Sequence, residues 1–278
     1  MIPIGINLTS IGVGSAWWLE SARAAERAGF AGAWCWDHFV SRGRKTDPVL
    51  ECWTTLAAAA AVTSRLRVGS FISNVMNRHP AVLARMLATL WDQSGGRVEL
   101  GIGVGGNAAE EGSYGIDFPE PGVRVRVLEE AVAVLRALWS GGPADFSGEF
   151  FSLREAWAHP APDPAPRIIV GGEKPGGARL AARVGDGWTT NAADYERLLP
   201  IHLDELAAHG RSRADIDHLL AVSLARDEPL EAQPVIADMG TFAAEWQQRG
   251  ADELIINWVR PAELPTILDA AVRAGLGR

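Results

Sequence analysis

The chain has 278 residues, 47% of them hydrophobic and 22% charged, with a formal net charge of -8. This length is close to the roughly 250 residues of one (β/α)8 barrel, and the composition suits a large apolar core. The acidic balance excludes a nucleic-acid binder, which needs a basic face against phosphates, and the two cysteines, Cys35 and Cys52, are too few for a disulfide framework or a structural zinc site.

In chain order, short β-rich runs alternate with longer helical ones. Residues 2–8 form an apolar strand, and 15–28 an amphipathic helix that Ser15 caps and Gly29 stops. A second strand is expected at 32–36, an alanine-rich helix at 50–63 and a third strand at 66–72. The helix at 80–93 opens on Pro80, where a missing N–H costs little. A fourth strand at 98–102 and a helix at 122–140 with Val127, Val134, Leu135 and Leu138 at helical spacing follow. Residues 141–166 are irregular and proline-rich, and read as an insertion before a fifth strand at 167–170. Helix 177–184, strand 187–190, helix 195–209, strand 219–225, helix 241–249, strand 253–257 and helix 263–274 complete eight β–α units. Such alternation predicts a parallel sheet with crossover helices, and eight units predict closure into a TIM barrel of one domain spanning 1–278. The start, Met1-Ile2-Pro3, shows no basic region or cleavage pattern, and no uncharged apolar run reaches about 18 residues. A cytoplasmic protein with no membrane and no nucleic-acid partner is expected.

In a (β/α)8 barrel the loops after the strands share one face, where active sites sit. The chemistry should therefore lie in residues 37–47, 73–79, 103–120, 171–177 and 191–194. Directly after the second strand come Trp36-Asp37-His38-Phe39. Imidazole exchanges protons near neutral pH, and an adjacent carboxylate can fix its orientation, so His38 is the candidate proton carrier and Asp37 its orienter. A satisfied polar pair closing the barrel is the plainer alternative. Ser70, Phe71 and Ser73 end the third strand, where small polar residues alternate with apolar ones and invite a ligand contact. Gly101, Gly103, Gly105 and Gly106 run from the end of the fourth strand into its loop and would let backbone approach a flat ligand closely. A dinucleotide fingerprint is rejected there, because the proper βαβ frame is absent. Gly171-Gly172 and Pro175-Gly176-Gly177 form a glycine-rich loop feeding a helix N-terminus, which can cradle a phosphate, with Lys174 and Arg179 adding charge. His79 opens a helix and reads as structural at least as readily as functional. Glu110 and Glu111 read as solvent-facing carboxylates of the fourth loop. Eleven tryptophans are many, and Trp17, Trp18, Trp34, Trp36 and Trp53 crowd the first fifth of the chain, as core packing or as walls of an aromatic pocket.

The order and spacing of Ala28-Gly29-Phe30, Trp36-Asp37-His38-Phe39, Arg78-His79-Pro80-Ala81, Ser94-Gly95-Gly96-Arg97, Leu100-Gly101-Ile102-Gly103, Tyr114-Gly115, Gly171-Gly172 and Asp186-Gly187-Trp188 resemble the luciferase-like monooxygenase family. The resemblance runs from Ile4 to about Trp188 and is nearest to the deazaflavin-dependent branch. It implies coenzyme F420, or alternatively FMN, held at the mouth, with Asp37 and His38 near the reacting part of the ring. It implies a non-prolyl cis peptide at Ser70-Phe71 propping the ring, Ser73 touching it, and Gly105 with Gly106 beside the ribityl chain. Val170, Gly171 and Gly172 would hold the phosphate, helped by Thr190 or Asn191. Three functions follow as expectations: hydride transfer between F420 and a small, largely apolar substrate, an FMN monooxygenase using O2 with a partner reductase, or a cofactor-binding protein without turnover. A homodimer paired through outer helices and no metal are also expected. Sugar-phosphate dehydrogenases of this branch place a glutamate where Gly106 stands here, and late basic residues are few apart from Arg260, which argues against that substrate.

Overall fold

The computed structural model describes residues 1–41 and 43–277; Arg42, within the first of the loops named above, and Arg278 lie outside the described residues. In chain order the elements are β1 (Ile4–Leu8), α1 (Ser15–Ala28), β2 (Gly32–Cys35), α2 (Cys52–Val62), β3 (Arg67–Asn74), α3 (Pro80–Ser94), β4 (Val98–Gly103) and α4 (Ala108–Ser113). Then come α5 (Pro121–Leu138), β5 (Ala144–Ser147), β6 (Ser152–Ala156), β7 (Ile168–Gly171), α6 (Pro175–Val184), β8 (Gly187–Asn191) and α7 (Ala192–Ala208). The chain ends with β9 (Asp217–Ser223), α8 (Pro234–Ala237), α9 (Met239–Gln248), β10 (Glu253–Val259) and α10 (Leu264–Ala274). Strands β1, β2, β3, β4, β7, β8, β9 and β10 close a parallel barrel, so the expected (β/α)8 architecture is present. Among the described residues no helix is long and apolar enough to cross a membrane.

Local chemistry sets the boundaries. Gly29 ends α1 in the left-handed region at φ 92°, where a side chain would be strained. Ser15 is the first helical residue of α1 rather than its cap; Gly14 holds that position, with no side-chain hydrogen bond. His79 caps α3 through its ring nitrogen, which accepts from the Ala81 amide at 3.2 Å, and its ring meets Phe151 edge-on, so its role is structural.

Each barrel strand is buried on both faces. The outward side chains, such as Ile4, Ile6, Leu8, Val68, Ser73, Leu100, Ile102 and Val170, meet the helices, and all of the apolar ones belong to the main core. Inside the barrel Trp34, Phe71, Ile169, Leu219, Ala221 and Ile255 form a second core. Trp34 occupies the centre because its neighbours are glycines: a Cβ on Gly5 would lie 2.0 Å from its ring and one on Gly69 2.8 Å. Beneath it, at the N-terminal end, Arg67 and Arg167 grip Glu99 and Arg67 also grips Glu253, at 2.5–2.7 Å, and Arg167 pairs with Asp217. This charged layer closes the bottom, leaving the opposite end for ligands.

The insertion at 141–166 contains the antiparallel hairpin β5–β6. Its tip is fastened to α5, where Glu130 accepts from the amides of Glu149, Phe150 and Phe151. Its descending limb meets α3, with Arg85 donating to the His159 carbonyl. It therefore buttresses the outer helices instead of crossing the mouth.

Candidate active site at the barrel mouth

Two strands carry an extra residue at their mouth ends. In β3, Ser70 is in register with Leu100 of β4 but Ser73 with Ile102, so three steps oppose two. In β10, Ile256 is in register with Ile6 of β1 but Val259 with Leu8. Each irregularity is a β-bulge, which re-aims side chains. The β3 bulge brings Phe71 and Ile72 together at the inner core. It also inverts the phase beyond it. Ser73 turns to the helix layer, where it accepts from the Trp53 indole at 3.2 Å. Ser70 is fully buried and donates to the Gly101 carbonyl at 2.7 Å. Asn74 takes the mouth position opposite Gly103.

The non-prolyl cis peptide is Phe71-Ile72, one residue beyond the expected Ser70-Phe71. The glycines around it serve Ile72: a Cβ on Gly171 would come within 2.0 Å of its Cδ1 and one on Gly103 within 2.6 Å. They make room for a side chain of the bulge, a simpler role than the ligand approach expected of them.

Asp37 is 6% exposed but does not orient His38. Arg78 clamps it, Nη1 to Oδ2 at 2.6 Å and Nη2 to Oδ1 at 2.9 Å, and the Asn74 amide donates to Oδ2 at 3.2 Å. Arg78 also reaches Glu51, 2.5 Å away. Burial alone would push the Arg78 pKa down; the Asp37 and Glu51 carboxylates hold it above its ordinary value. Asp37 thus pairs with Arg78, and His38 takes a different partner.

The partner of His38 is Glu110. Its Oε2 lies 2.8 Å from His38 Nδ1 and also accepts from Asn107, while Oε1 accepts from the amides of Phe39 and Val40. Glu110 and Glu111 are 3% and 4% exposed, on the short helix α4, and do not face solvent as expected. Burial pushes the Glu110 pKa up, but the His38 hydrogen bond and the two amides outweigh it and hold the carboxyl below its usual value. Glu110 is therefore an anion that ties the second loop to the fourth and fixes the imidazole. Glu111 receives the Asn74 amide at 2.5 Å, while its Oε2 is buried without a partner. Gly105, at φ 74°, makes this contact possible, since a Cβ there would lie 2.5 Å from Asn74 Oδ1. Gly106 lies on the exposed turn just before α4.

Inside the barrel are unpartnered polar atoms: Asn7 Oδ1, Thr189 Oγ1 and Asn257 Oδ1 are buried without a hydrogen-bond partner, although Asn7 Nδ2 donates to the Phe71 carbonyl at 3.2 Å. All three sit at inward strand positions near the mouth, and buried polar groups in proteins are normally satisfied. They are the donor and acceptor set that a polar heterocycle would complete. Thr190, expected to assist, points outward on the same strand face as Trp188, and its neighbour Thr189 takes the inner position; the Thr190 hydroxyl is itself unpartnered. Asn191 precedes α7 at the mouth, with no capping bond from its side chain. Val170 belongs to the outer core. Gly171 ends β7, the Gly172 amide donates to the Thr189 carbonyl at 2.9 Å, and no side chain caps α6 beyond them. Arg179 faces Glu205 of α7 at 3.8 Å. Lys174 stands at the N-cap of α6.

Of the five early tryptophans, Trp36 reaches the mouth. It meets His38 edge-on at 5.5 Å between ring centroids and Trp258 at 5.1 Å. Trp18, Trp34 and Trp53 are buried, and Trp17 packs against the core. Cys35 and Cys52 are free and buried.

The family model for luciferase-like monooxygenases matches residues 15–254. The chain is 31% identical over 237 residues to the F420-dependent glucose-6-phosphate dehydrogenase of Microbacterium testaceum, covering 82% of this chain and 70% of that one. It is 34% identical over 215 residues to the enzyme of the same name from Kineococcus radiotolerans, covering 75% and 64%. In structure it is similar to an F420-dependent secondary alcohol dehydrogenase solved with an F420-acetone adduct, with a TM-score of 0.87 and 22% identity over 100% of this chain and 99% of that one.

Proposed function

The chain belongs to the luciferase-like monooxygenase family, and from that premise we propose that it is an F420-dependent oxidoreductase acting on a small, largely apolar carbonyl or alcohol. The observation that carries this reading is the His38–Glu110 pair at the mouth, together with the unpartnered Asn7 Oδ1, Thr189 Oγ1 and Asn257 Oδ1 inside the barrel. F420-dependent relatives at 31% and 34% identity support the coenzyme.

The residues present fit a deazaflavin. The inner polar atoms offer partners for its ring carbonyls and N–H, the Phe71–Ile72 bulge offers an apolar wall, and the uncapped N-terminus of α6 beyond Gly171-Gly172 suits a phosphate. When bound, such a coenzyme supplies or accepts a hydride, a two-electron change at carbon. The protein's share is the proton. With Nδ1 committed to Glu110, His38 exchanges a proton through Nε2, donating to a carbonyl oxygen during reduction or taking it from a hydroxyl during oxidation. Glu110 fixes the ring through its 2.8 Å contact with Nδ1. Trp36, Phe71 and Ile72 give the pocket apolar walls that exclude water.

A phosphorylated sugar is the less suitable substrate. Of the arginines after β9 and β10, Arg226 and Arg260 both bond to Glu263. Gly106 supplies no carboxylate.

The test is a fluorescence titration of purified protein with F420 and with FMN, followed by turnover of acetone and small alcohols. Micromolar, selective binding of F420 with turnover is expected. Preference for FMN with O2 consumption, or binding of neither, overturns the reading.

A further inference from the structure

We propose that Trp258 is a specificity-determining residue: an indole platform that selects planar, conjugated carbonyl compounds over compact aliphatic ones. The proposal rests on the oxidoreductase reading above for its chemistry and on the β10 bulge for its geometry.

An ordinary strand would alternate Ile256 out, Asn257 in, Trp258 out. The register shows otherwise. Ile256 pairs with Ile6 and Val259 with Leu8, all four in the outer core, so Asn257 and Trp258 together stand opposite the single inward residue Asn7. Trp258 sits at φ 56°, a region that bulky residues rarely adopt. Such a conformation persists where surrounding contacts enforce it, and it clusters at ligand sites. Here the contacts are specific. Arg226 donates to the Trp258 carbonyl at 3.1 Å and lays its guanidinium 5.2 Å from the ring centroid. Glu263 holds Arg226 in turn, and Arg260 holds Glu263.

The result is an aromatic series leading away from the proton carrier: His38, then Trp36, then Trp258. Trp258 remains 41% exposed, unusual for so large an apolar side chain fixed at the mouth of a barrel. Asn257, the other residue of the bulge, leaves Oδ1 buried and unpartnered beneath it. A substrate with its carbonyl at His38 would extend its flat body along Trp36 to Trp258. A conjugated ring system gains offset stacking there; a methyl ketone is too short to reach it. Reduction of the carbonyl is balanced by what the site already implies. A hydride from the reduced coenzyme forms the C–H bond, the π bond breaks, the His38 proton forms O–H, and the coenzyme is left oxidised by two electrons.

The test compares the full-length protein with Trp258→Ala, Trp258→Phe and, as a control at an exposed indole outside the mouth, Trp157→Ala. The first readout needs no coenzyme: binding of 2-naphthol, followed by its fluorescence anisotropy. Trp258→Ala should weaken it about tenfold, Trp258→Phe should retain most of it, and Trp157→Ala should leave it unchanged. The second readout is the ratio of kcat/KM for 2-naphthaldehyde to that for acetone with reduced F420. Trp258→Ala should lower this ratio about tenfold, mainly through KM. Equal naphthol binding by folded Trp258→Ala and the parent, or an unchanged ratio, overturns the proposal. Failure to bind F420 would overturn the oxidoreductase reading alone, because naphthol binding decides the platform separately.

Discussion

His38 and Glu110 are 72 residues apart in sequence and 2.8 Å apart at the barrel mouth, with the carboxylate also holding the Phe39 and Val40 amides. One buried anion thus sets both the ring orientation and the path of the loop that carries it. His38→Ala should lower kcat by about two to four orders of magnitude, the usual worth of a general acid or base. Glu110→Gln keeps the shape and removes the charge, and should lower kcat by about ten- to a hundredfold. Coenzyme affinity should change far less in both, as read by fluorescence titration. A variant with full turnover would remove its residue from the proton path.

Asp37 is a different kind of residue. Its two hydrogen bonds from Arg78, and the further link to Glu51, make it the anchor of the second and third loops. Removing one partner of a buried pair leaves an uncompensated charge and costs about 3–5 kcal/mol. Asp37→Asn and Arg78→Met should each lower Tm by about 10 °C. Calorimetry at neutral pH checks this. If Asp37→Asn keeps its Tm and loses turnover, Asp37 acts in the chemistry as the sequence suggested.

The barrel was legible because apolar periodicity and helix stops such as Gly29 are local signals. The coarse position of the site was legible for a topological reason, since strand ends such as Trp36-Asp37-His38 must face the mouth. The fine assignment was not. Alternation predicts which face a strand residue occupies only while the register is unbroken. The extra residue at Phe71–Ile72 turned Ser73 outward and Asn74 inward, and the one at Asn257–Trp258 put an unforeseen indole at the mouth. A bulge is set by the two partner strands together, so neither sequence segment announces it. Thr189 and Thr190 are indistinguishable in composition, and their opposite facings depend on strand phase. Glu110 and Glu111 read as solvated because carboxylates usually are. Their partners lie far off in sequence, His38 in the loop after β2, 72 residues from Glu110, and Asn74 at the end of β3, 37 residues from Glu111.

At the closed end of the barrel, burial beside Glu99 pushes the Glu253 pKa up to about 7, against the pull of Arg67 and Arg167. The folded state then binds a proton more tightly than the unfolded chain, where a glutamate titrates at its ordinary 4.5. This contribution to stability is fully present below the unfolded value and is lost as pH rises through about 7. Glu253→Gln carries no titrating group. Urea midpoints from pH 6.5 to 8 should fall for the parent and stay flatter for the variant. Parallel curves would show that Glu253 is ionised throughout.

His218 gives the opposite sign. It is fully buried between Trp188, Tyr195 and His202, and its Nδ1 lies 2.7 Å from the Tyr195 hydroxyl. Burial, with Arg213 and His202 nearby, lowers its pKa from 6.5 to about 2, and burial lowers that of His202 to about 4. The unfolded chain therefore takes up protons that the folded one refuses. Stability from this cluster is present above pH 6.5 and is lost as pH falls below it, by up to about 1.4 kcal/mol per pH unit for each imidazole. His218→Asn keeps a short polar group facing Tyr195 and removes one titration. Its stability should fall less steeply than the parent's between pH 6.5 and 5, where Glu253 contributes equally to both proteins. The same slope in both would mean that the folded protein admits a proton at His218, and that the aromatic cluster opens to water under mild acid.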